Sequence, residues 1–502
     1  MKNTLEYSVK TAYLYAMIAI IALFGLSPIG AFAAPISIAS TTPGPTPFIN
    51  YVTATYTGDL DSVTFAVLPK TGSIAHPLIA TYSATYLATH GSISNGSVTF
   101  SVFGLYAGMT NNITLVFVFK DHSYTIQQTS IITAPWTSPC GNLNMPTFTA
   151  NPSASSRVTF SYFLLKALCG PSTGIIVDVD GNTRWASTNQ FGTPSQLLYD
   201  NALYTSDTSG HMYRVELTDG LATQIGDYTP YNVTSTGAHN IDFGRDGLLV
   251  EADTTTQIES VNLEIDPKTG KVLNRWDLSD IISAAMVAGG DDPSIFVGGP
   301  KDDWFHNNAA TYNPKDNTMI ISSRENFVIA VDYDAPAEGQ RKIHWILGDP
   351  SKAWYQYPSL RKYALALSPT TIPPVGQHAV SIDEQGRLLL FDDGLGSRFQ
   401  IPAGITRTYS AAREYIIDTS TMSAREEYTY DAGQSIYSSI TSSVYEANGT
   451  YLVDFAQAKG GTAAIIQGIG PNHQVAFTLE YPGGYSSGWN AQPLPSNYFL
   501  FK

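Results

Sequence analysis

The feature that most constrains the fold is a hairpin unit that recurs through the later part of the chain. Each copy is a short apolar strand, a turn containing Asp or Asn together with Gly or Asn, and a second apolar strand. Asp and Asn initiate tight turns, and Gly or Asn accepts the positive φ that these turns require. The clearest copies are residues 175–185, 263–273, 311–322 and 379–391. Repeated hairpins are typical of a β-propeller, and about 360 residues at roughly 60 per blade predict six blades.

The region before these hairpins has a different pattern. Residues 51–135 read as short alternating strands, such as 63–67 and 113–119, separated by turn residues at the intervals of a sandwich. We therefore predict an all-β chain with a small N-terminal β-sandwich over residues 34–140 and a β-propeller over residues 141–502. The sandwich carries no cluster of catalytic residue types, so its expected role is packing or docking, and it could mediate a homodimer.

The first residues have the pattern of a secretory signal. Lys2 and Lys10 supply positive charge, residues 12–24 are apolar, and Ala31-Phe32-Ala33 is a small-x-small cleavage sequence. The alternative is an uncut membrane anchor, but the apolar run is short for a span. We predict a signal peptide over residues 1–33 and a mature protein that is periplasmic or secreted, with no membrane segment.

Charge and cysteine usage narrow the classes of partner and compartment. The formal net charge is −15, which argues against nucleic acid as a partner. The two cysteines, Cys140 and Cys169, predict one structural disulfide in an oxidising compartment. Two buried free thiols are the alternative.

Three histidines and one arginine stand out because only 14% of the residues are charged. They occur in the motifs Gly-Ala-His239-Asn, Asp-Asp-Trp-Phe-His306-Asn-Asn, Ser-Ser-Arg324 and Gly-Gln-His378. In a propeller, residues from several blades converge near the central channel, so their distance in sequence does not prevent contact. A cluster of this composition binds a tetrahedral anion, and a free imidazole within it can attack one.

In this order, the motifs resemble the bacterial aryl-sulfate sulfotransferase family, which does not use PAPS. The resemblance runs from about residue 171 to about residue 455, and it includes Ile-His-Trp-Ile-Leu-Gly at 343–348 and Phe-Asp-Asp-Gly at 391–394. It implies a six-bladed propeller and transfer of a sulfuryl group from an aryl sulfate donor to a phenolic acceptor. It also implies a ping-pong reaction through a sulfohistidine, with no cofactor.

The resemblance assigns His378 as the nucleophile, because the histidine of the matching Gln-His motif carries the intermediate in the family. A neutral imidazole, with a pKa of roughly 6.5, is a suitable nucleophile at pH 7. The alternative is a core histidine that bonds a backbone carbonyl. Arg324 matches the residue that holds the sulfuryl oxygens, a role that suits its planar fork of donors. Its alternative is an ion pair with Glu325.

The remaining site residues are also assigned by resemblance. His306 and Asn308 match residues that contact the sulfuryl group, and His306 could also protonate the leaving phenolate. His239 matches the third histidine, and Thr441 matches a hydroxyl donor. The other six histidines are interpreted as structural, with His344 as a packing residue of its strand.

Two physical expectations follow for this cluster. Histidines beside an arginine oppose one another's protonation, so each histidine pKa should fall. The histidines lack the close spacing of a metal motif, so we expect no metal and activity that survives chelators. Trp354, Tyr355 and Tyr357 suit stacking on an aryl ring, with ordinary loop packing as the equal alternative.

Three other functions compete with this interpretation. An aryl sulfate hydrolase would transfer to water, but neither cysteine lies in the Cys-x-Pro-x-Arg motif of known sulfatases. A quinone-cofactor dehydrogenase shares the Asp-and-Gly hairpins, without a convincing cofactor-binding set here. A non-catalytic ligand-binding propeller stays open because one fold hosts many functions.

Overall fold

The computed structural model describes residues 36–94, 96–144, 146–151, 157–168, 174–237, 239–299, 302–335 and 340–502. The predicted signal peptide, residues 1–33, and Cys169 lie outside these ranges. Cys140 is disulfide-bonded. None of the helices in the described part of the chain has the length and apolarity needed to cross a bilayer.

The described residues form a predominantly β structure, and the prediction of an all-β chain is confirmed. The strands are β1 (Ser37–Pro43), β2 (Ile49–Thr55), β3 (Leu60–Val67), β4 (Leu78–Ser83), β5 (Ile93–Ser94), β6 (Ser97–Phe103), β7 (Thr110–Phe119), β8 (Tyr124–Ile132), β9 (Thr147–Ala150), β10 (Tyr162–Lys166), β11 (Ile175–Asp178), β12 (Thr183–Ala186), β13 (Gln196–Tyr199), β14 (Ala202–Ser206), β15 (His211–Glu216), β16 (Ala222–Asp227), β17 (Val233–Ser235), β18 (Ile241–Phe243), β19 (Leu248–Thr254), β20 (Val261–Ile265), β21 (Val272–Asp277), β22 (Asn307–Asn313), β23 (Thr318–Ser323), β24 (Val328–Asp332), β25 (Ile343–Leu347), β26 (Ala366–Leu367), β27 (His378–Ile382), β28 (Leu388–Asp392), β29 (Ala411–Asp418), β30 (Ser423–Tyr430), β31 (Ser443–Ala447), β32 (Thr450–Gln457), β33 (Ala463–Ile469), β34 (Val475–Pro482), β35 (Asn490–Pro493) and β36 (Tyr498–Phe501).

Helices are short and few in the same ranges. The α-helices are α1 (Ala84–Thr89), α2 (Leu278–Ala288), α3 (Pro358–Arg361) and α4 (Ala458–Gly461). Short 3-10 turns occupy Thr229–Tyr231, Pro293–Ile295, Ala353–Gln356, Ala432–Gln434 and Gly484–Ser486.

Two sheets occupy the N-terminal region. One has the strand order β1-β2-β6-β5 and the other β36-β4-β3-β7-β8. Their apolar side chains share a core, in which Val52 and Phe100 of the first sheet join Phe65 and Phe117 of the second. The predicted strands at 63–67 and 113–119 lie within β3 and β7, and a third run with the same alternating pattern, residues 96–100, overlaps β6.

Six further sheets of four or five strands follow, with the orders β12-β11-β10-β35, β13-β14-β15-β16, β17-β19-β20-β21 with β18 beside β19, β22-β23-β24-β25, β26-β30-β29-β28-β27, and β31-β32-β33-β34-β9. Strands of consecutive sheets contact each other in the series β10 to β13, β13 to β18, β18 to β22, β22 to β27, β27 to β31, and β31 to β35. Because β35 lies in the same sheet as β10, this series of contacts closes on itself.

The hairpins arise from the turn chemistry that the sequence predicts. Between β20 and β21, Asp266 Oδ1 accepts hydrogen bonds from the backbone N–H of Lys268 at 2.8 Å and of Thr269 at 3.0 Å. Gly270 then adopts a φ of +68°, and a Cβ there would lie 1.7 Å from the carbonyl oxygen of Ile225. Only glycine fits this position. The hairpins at 175–185, 311–322 and 379–391 are confirmed in the same way.

Three strand pairings join distant parts of the chain. β35 pairs antiparallel with β10, β9 pairs antiparallel with β34, and β36 pairs parallel with β4. The first and last of the six sheets each therefore contain strands from both ends of that region.

The sequence between two of the hairpins, residues 278–286, also predicts a helix, and helix α2 confirms it and extends two residues beyond Met286. Asp277 caps it by accepting a hydrogen bond from the N–H of Ser279 at 3.1 Å. Its buried face includes Ile281, Ile282 and Met286.

Two expectations about packing residues have opposite outcomes. Trp354 is buried in a hydrophobic core and its indole N–H donates to Asp349 O at 3.1 Å, so loop packing is correct for this residue. His344 is exposed rather than packed, because its Nε2 lies 2.6 Å from Asp332 Oδ1 at the surface. That interpretation was wrong.

Candidate active site

Residues from successive sheets meet at one end of the strands that contact each other. His239 lies two residues before β18, His306 directly before β22, and His378 is the first residue of β27. Thr441 lies two residues before β31, and Trp489 directly before β35. Each side chain thus enters the same space from a different sheet.

These side chains line a cavity of about 320 Å³, which we call the histidine pocket. Its lining residues are His239, Glu259, Asp303, His306, Arg324, Glu325, His378, Arg398, Phe399, Ile440, Thr441 and Trp489. The imidazole centroid of His239 is 4.9 Å from that of His306 and 6.0 Å from that of His378. The structure therefore brings together all four catalytic candidates that the motifs named.

His378 is held as a neutral imidazole with one free nitrogen. Its Nδ1 lies 3.0 Å from Gly376 O, and because a carbonyl only accepts, Nδ1 carries the hydrogen. Asp393 Oδ2 also lies 3.0 Å from Nδ1. Burial, helped by His239 and Arg324, lowers the pKa of His378 well below its usual value. The lone pair is consequently on Nε2.

His306, in contrast, is held as a positively charged imidazolium. Its Nδ1 lies 2.9 Å from Glu259 Oε2 and also bonds the carboxylate of Asp303. Burial opposes the charge, but these two acids outweigh it and raise the pKa of His306 to about 10. The expectation that every histidine pKa falls is therefore wrong for His306, because it overlooked two adjacent carboxylates.

The pKa of His239 is lowered, as expected for a histidine beside an arginine. Burial, together with His306 and Arg324, lowers its pKa to about 4 although Glu259 opposes this. Its Nδ1 lies 3.3 Å from Glu251 Oε2, and burial raises the pKa of that carboxyl group well above its usual value. His239 is thus a neutral side chain beside a cationic one.

Arg324 forms the ion pair with Glu325 that was its alternative role, and it also keeps one donor unpaired among the described residues. Its Nη1 donates to the Glu325 carboxylate, and both side chains are buried. Its Nη2 is buried without a hydrogen-bond partner among the described residues. Because Arg324 lines the pocket, this donor is available to an anion there.

Thr441 lies in the wall of the pocket, whereas Asn308 is not among the residues that line it. Thr441 lines the pocket, and its buried Oγ1 has no hydrogen-bond partner within the described ranges. Its φ of 59° is strained for a β-branched residue, and such strain is found mainly at functional sites. Asn308 is not among the lining residues, and its Nδ2 donates to Gln377 O at 2.8 Å. It supports the backbone that carries His378.

Sequence reasoning missed several residues of the pocket. Asp303 and Asp393 lie inside the quoted motifs. They could therefore have been named as partners of His306 and His378. Trp489, whose ring lies 5.9 Å from that of His239, precedes a strand as the other site residues do. Glu259 has no comparable signal, because its importance depends on contact with His306.

Three sets of side chains among the described residues could hold a metal: the three imidazoles, His239 with Glu251 and Glu259, and His306 with Glu259 and Asp303. The ligand atoms of each set lie within 4.8 Å of one another, although the sequence spacing gave no indication of this. A metal in either set that contains His306 would need this residue unprotonated, whereas Glu259 and Asp303 favour its charged form. With a free Arg324 donor beside it, the resting pocket suits an anion better than a cation.

Comparison with known proteins matches this site to a family. The model of a family described as Arylsulfotransferase (ASST) matches residues 154–490. This range contains every residue that lines the pocket. The chain belongs to the arylsulfotransferase family. This confirms the resemblance that the motifs indicated.

Two curated relatives of this arylsulfotransferase-family chain carry the name Arylsulfate sulfotransferase AssT. The protein of Escherichia coli O6:H1 (strain CFT073) is 28% identical over 246 residues, which is 40% of each chain. The protein of Lelliottia amnigena is 28% identical over 225 residues, or 36% of each chain. The match thus spans about two fifths of the length of these relatives.

Two solved structures show a weak similarity to this chain. A structural genomics protein of unknown function from Bacteroides thetaiotaomicron is 13% identical, with coverage of 91% of this chain and 99% of its own, at a TM-score of 0.35. A europium-containing methanol dehydrogenase is 8% identical, with coverage of 74% and 75%, at a TM-score of 0.31.

Proposed function

We propose that this chain transfers a sulfuryl group from an aryl sulfate to a phenol through a covalent intermediate on His378. The observation that carries the proposal is one pocket that holds a neutral imidazole with a free Nε2, a guanidinium with a free Nη2, and a cationic imidazole. A nucleophile, an oxyanion donor and an acid in contact are what this reaction requires. Family membership and the names of the relatives support the same substrate class.

In the first half-reaction, Nε2 of His378 attacks the sulfur of the aryl sulfate. An N–S bond forms, the S–O bond to the aryl group breaks, and the leaving phenolate takes a proton from the His306 imidazolium. Phenol has a pKa of about 10, so an acid whose pKa is also near that value is well matched to it. The pKa of about 10 for His306 supports this role.

In the second half-reaction, a phenolic acceptor attacks the same sulfur. His306, now neutral, takes the proton of the hydroxyl group, the N–S bond breaks, and His378 is restored. Atoms and protons balance over the two steps, and no group other than the two substrates is needed. The product is a new aryl sulfate.

Charge on the sulfuryl oxygens is stabilised by donors that are already in position. Arg324 Nη2 and Thr441 Oγ1 are buried and unpaired among the described residues, so neither has to break a hydrogen bond to bind an oxygen. His239 completes the wall as a neutral imidazole. Gly376 O and Asp393 fix the ring of His378, and Asn308 fixes the strand start that carries it.

The architecture and location belong to the same proposal. We infer that the six sheets whose strands contact in a closed series are the blades of a six-bladed β-propeller over residues 141–502. The two N-terminal sheets with a shared core support a β-sandwich domain within residues 34–140. With residues 1–33 as a removed signal peptide, the protein would act in the periplasm or outside the cell, and the sandwich offers a surface for a homodimer.

The deciding experiment is peptide mass spectrometry after mixing the protein with 4-nitrophenyl sulfate in the presence of EDTA. We expect one added SO₃ group on the peptide that contains His378, and its loss when phenol is added. His378→Asn should abolish the adduct. His344→Asn, at an exposed histidine on β25, is the matched control and should retain it.

Each other outcome favours a different function. Sulfate release that phenol does not suppress would identify an aryl sulfate hydrolase. No adduct and no 4-nitrophenol from a folded protein would contradict catalysis and favour a ligand-binding propeller. An adduct that EDTA prevents would contradict the metal-free reaction.

A further inference from the structure

A second cavity adjoins the histidine pocket and is not used by the reaction described above. It has a volume of about 360 Å³ and is lined by Ile295, Phe296, Trp304 and Gln400, among others. Asp303 and Phe399 line both cavities, so the two are neighbours. We call this second cavity the aryl groove.

The groove combines the aromatic residues Phe296, Trp304 and Phe399 with the acidic residues Asp302 and Asp303. Phe296 packs edge-on against Trp304 with ring centroids 5.7 Å apart, and Tyr357 supports it from behind at 5.3 Å. Gln400 fixes the opposite side, because its Nε2 donates to Phe296 O at 3.1 Å. An apolar cavity of about 150 Å³ is enough to take a benzene ring, so the groove is large enough for a substituted one.

The apolar side chains at the rim of the groove are unusually exposed. Ile295 is 82% exposed and Phe399 is 60% exposed, and Ile401 beyond them is 88% exposed. Apolar side chains clustered at a cavity mouth mark ligand-binding surfaces. Their position beside an anion pocket limits the ligand to one that is apolar at one end and anionic at the other.

We propose that the aryl groove binds the ring of the aryl sulfate, and in turn the ring of the phenolic acceptor, with Phe399 as the residue that determines specificity. This inference rests on the proposed function, because that function identifies the anionic end of the ligand as a sulfate ester. A ring in the groove places its ester oxygen at the boundary that Asp303 lines. Asp303 bonds His306, so the oxygen leaves beside the acid that protonates it.

The groove is also connected to the anion-binding arginine. Glu325 bonds Arg324 Nη1 through one carboxylate oxygen, and through the other it accepts from the backbone N–H of Arg398 at 2.6 Å and of Phe399 at 2.9 Å. The residue that contacts the ring and the residue that contacts the sulfuryl group are therefore held by one carboxylate. A ligand that fills both cavities therefore contacts Arg324 and Phe399 in a relative position that Glu325 has already fixed.

The test measures binding without turnover, so that it does not depend on the covalent step. Naphthalene-2-sulfonate and methanesulfonate present the same anionic group with and without an aryl ring. We would titrate both into the His378→Asn protein by calorimetry, and again after adding Phe399→Ala. We expect a loss of about tenfold in affinity for naphthalene-2-sulfonate, as for one lost aromatic contact, and no change for methanesulfonate.

Two further variants complete the design. Ile295→Ser, on the other wall, should reproduce the selective loss, and both side chains are exposed enough that the fold should tolerate the changes. Phe243→Ala, at an exposed residue that lines neither of the two cavities, is the control and should change neither affinity.

The outcomes separate this inference from the proposed function. Unchanged naphthalene-2-sulfonate affinity in Phe399→Ala and Ile295→Ser, or no binding by the parent His378→Asn protein, would overturn the aryl groove. Selective loss of aryl affinity in a protein that forms no sulfohistidine would support the groove and contradict only the reaction.

Discussion

At the scale of single residues, three histidines within one cavity differ in charge because their neighbours differ. His378 and His239 are buried, and burial lowers their pKa values. His306 faces Glu259 and Asp303, which raise its pKa to about 10. The environment thus separates the pKa values of like groups within one cavity, as it does in other sites.

This charge pattern predicts the pH dependence of the first half-reaction. With phenyl sulfate as donor, the rate constant should fall as pH rises through about 10, because His306 then loses the proton it donates. On the acid side the rate should hold to below about pH 6.5, because the lowered pKa of His378 keeps its Nε2 unprotonated. Stopped-flow measurement of phenol release checks both limits.

The control for this profile is His306→Gln, which keeps a polar side chain but cannot act as an acid. We expect a rate lower by about 10²-fold to 10⁴-fold and the loss of the alkaline limb. An alkaline limb near pH 7 in the unaltered protein would contradict an acid of raised pKa.

Sequence alone indicates four of the catalytic candidates that line the pocket, but it gives neither the other lining residues nor the charges of the histidines. His239, His306, Arg324 and His378 could be found because each follows a recognisable motif. The state of His306 could not, because Glu259 comes from a different sheet and approaches only in the folded chain. Charge depends on distances of a few ångströms, and sequence spacing does not contain these distances.

At the scale of elements, the segment that follows β23 and the segment 397–400 are joined through a single carboxylate. Glu325 is fully buried, and Arg324 holds its pKa below the usual value against the opposing effect of burial. Lys352 supports the same turn by donating to Glu325 O at 3.1 Å. The pocket wall is therefore formed by two loops that cannot move independently.

We predict that Glu325→Gln lowers kcat/KM by at least about tenfold, since 1.4 kcal/mol lost in orienting Arg324 is a factor of ten. The thermal unfolding midpoint should fall by several degrees, because the change leaves Arg324 as a buried unpaired cation. Steady-state kinetics and thermal denaturation measure the two effects.

Glu427→Gln is the matched control, since Glu427 pairs with Arg425 at the surface. Exposed pairs contribute little, so neither activity nor the midpoint should change. Equal behaviour of the two variants would show that Glu325 has no special role.

Local elements were predictable where local chemistry decides them. The hairpin between β20 and β21 follows from Asp266 and Gly270, and α2 follows from its apolar spacing and the Asp277 cap. The pairing of β35 with β10 was not predictable, because strand partners separated by more than three hundred residues leave no local pattern.

At the scale of the whole molecule, the end of the chain stabilises the N-terminal region. Strand β36 adds to the sheet of β3 and β4, and Phe501 stacks on Tyr82 at 4.7 Å and lies 5.3 Å from Tyr86. Phe499 and Phe501 are 6% and 4% exposed. The N-terminal sheets and the catalytic region therefore share a core.

We predict that Phe501→Ala destabilises the protein by about 3 kcal/mol, as for other buried aromatic truncations. The thermal unfolding midpoint should fall, while sulfuryl transfer at room temperature should not change, because Phe501 lines neither cavity of the site. Leu221→Ala, at a residue that is 65% exposed, should leave the midpoint unaltered. A loss of transfer in Phe501→Ala with an unaltered midpoint would contradict this separation.

The pairing of β10 with β35 also sets the order of events during biosynthesis. A ribosome releases Tyr162–Lys166 long before it polymerises Asn490–Pro493, so the first catalytic sheet lacks its partner strand for most of translation. Pairings between strands so far apart in the sequence slow folding. The edge of β10 that β35 covers therefore stays unpaired in the nascent polypeptide until residues 490–493 have emerged, and unpaired strand edges of this kind are prone to aggregation.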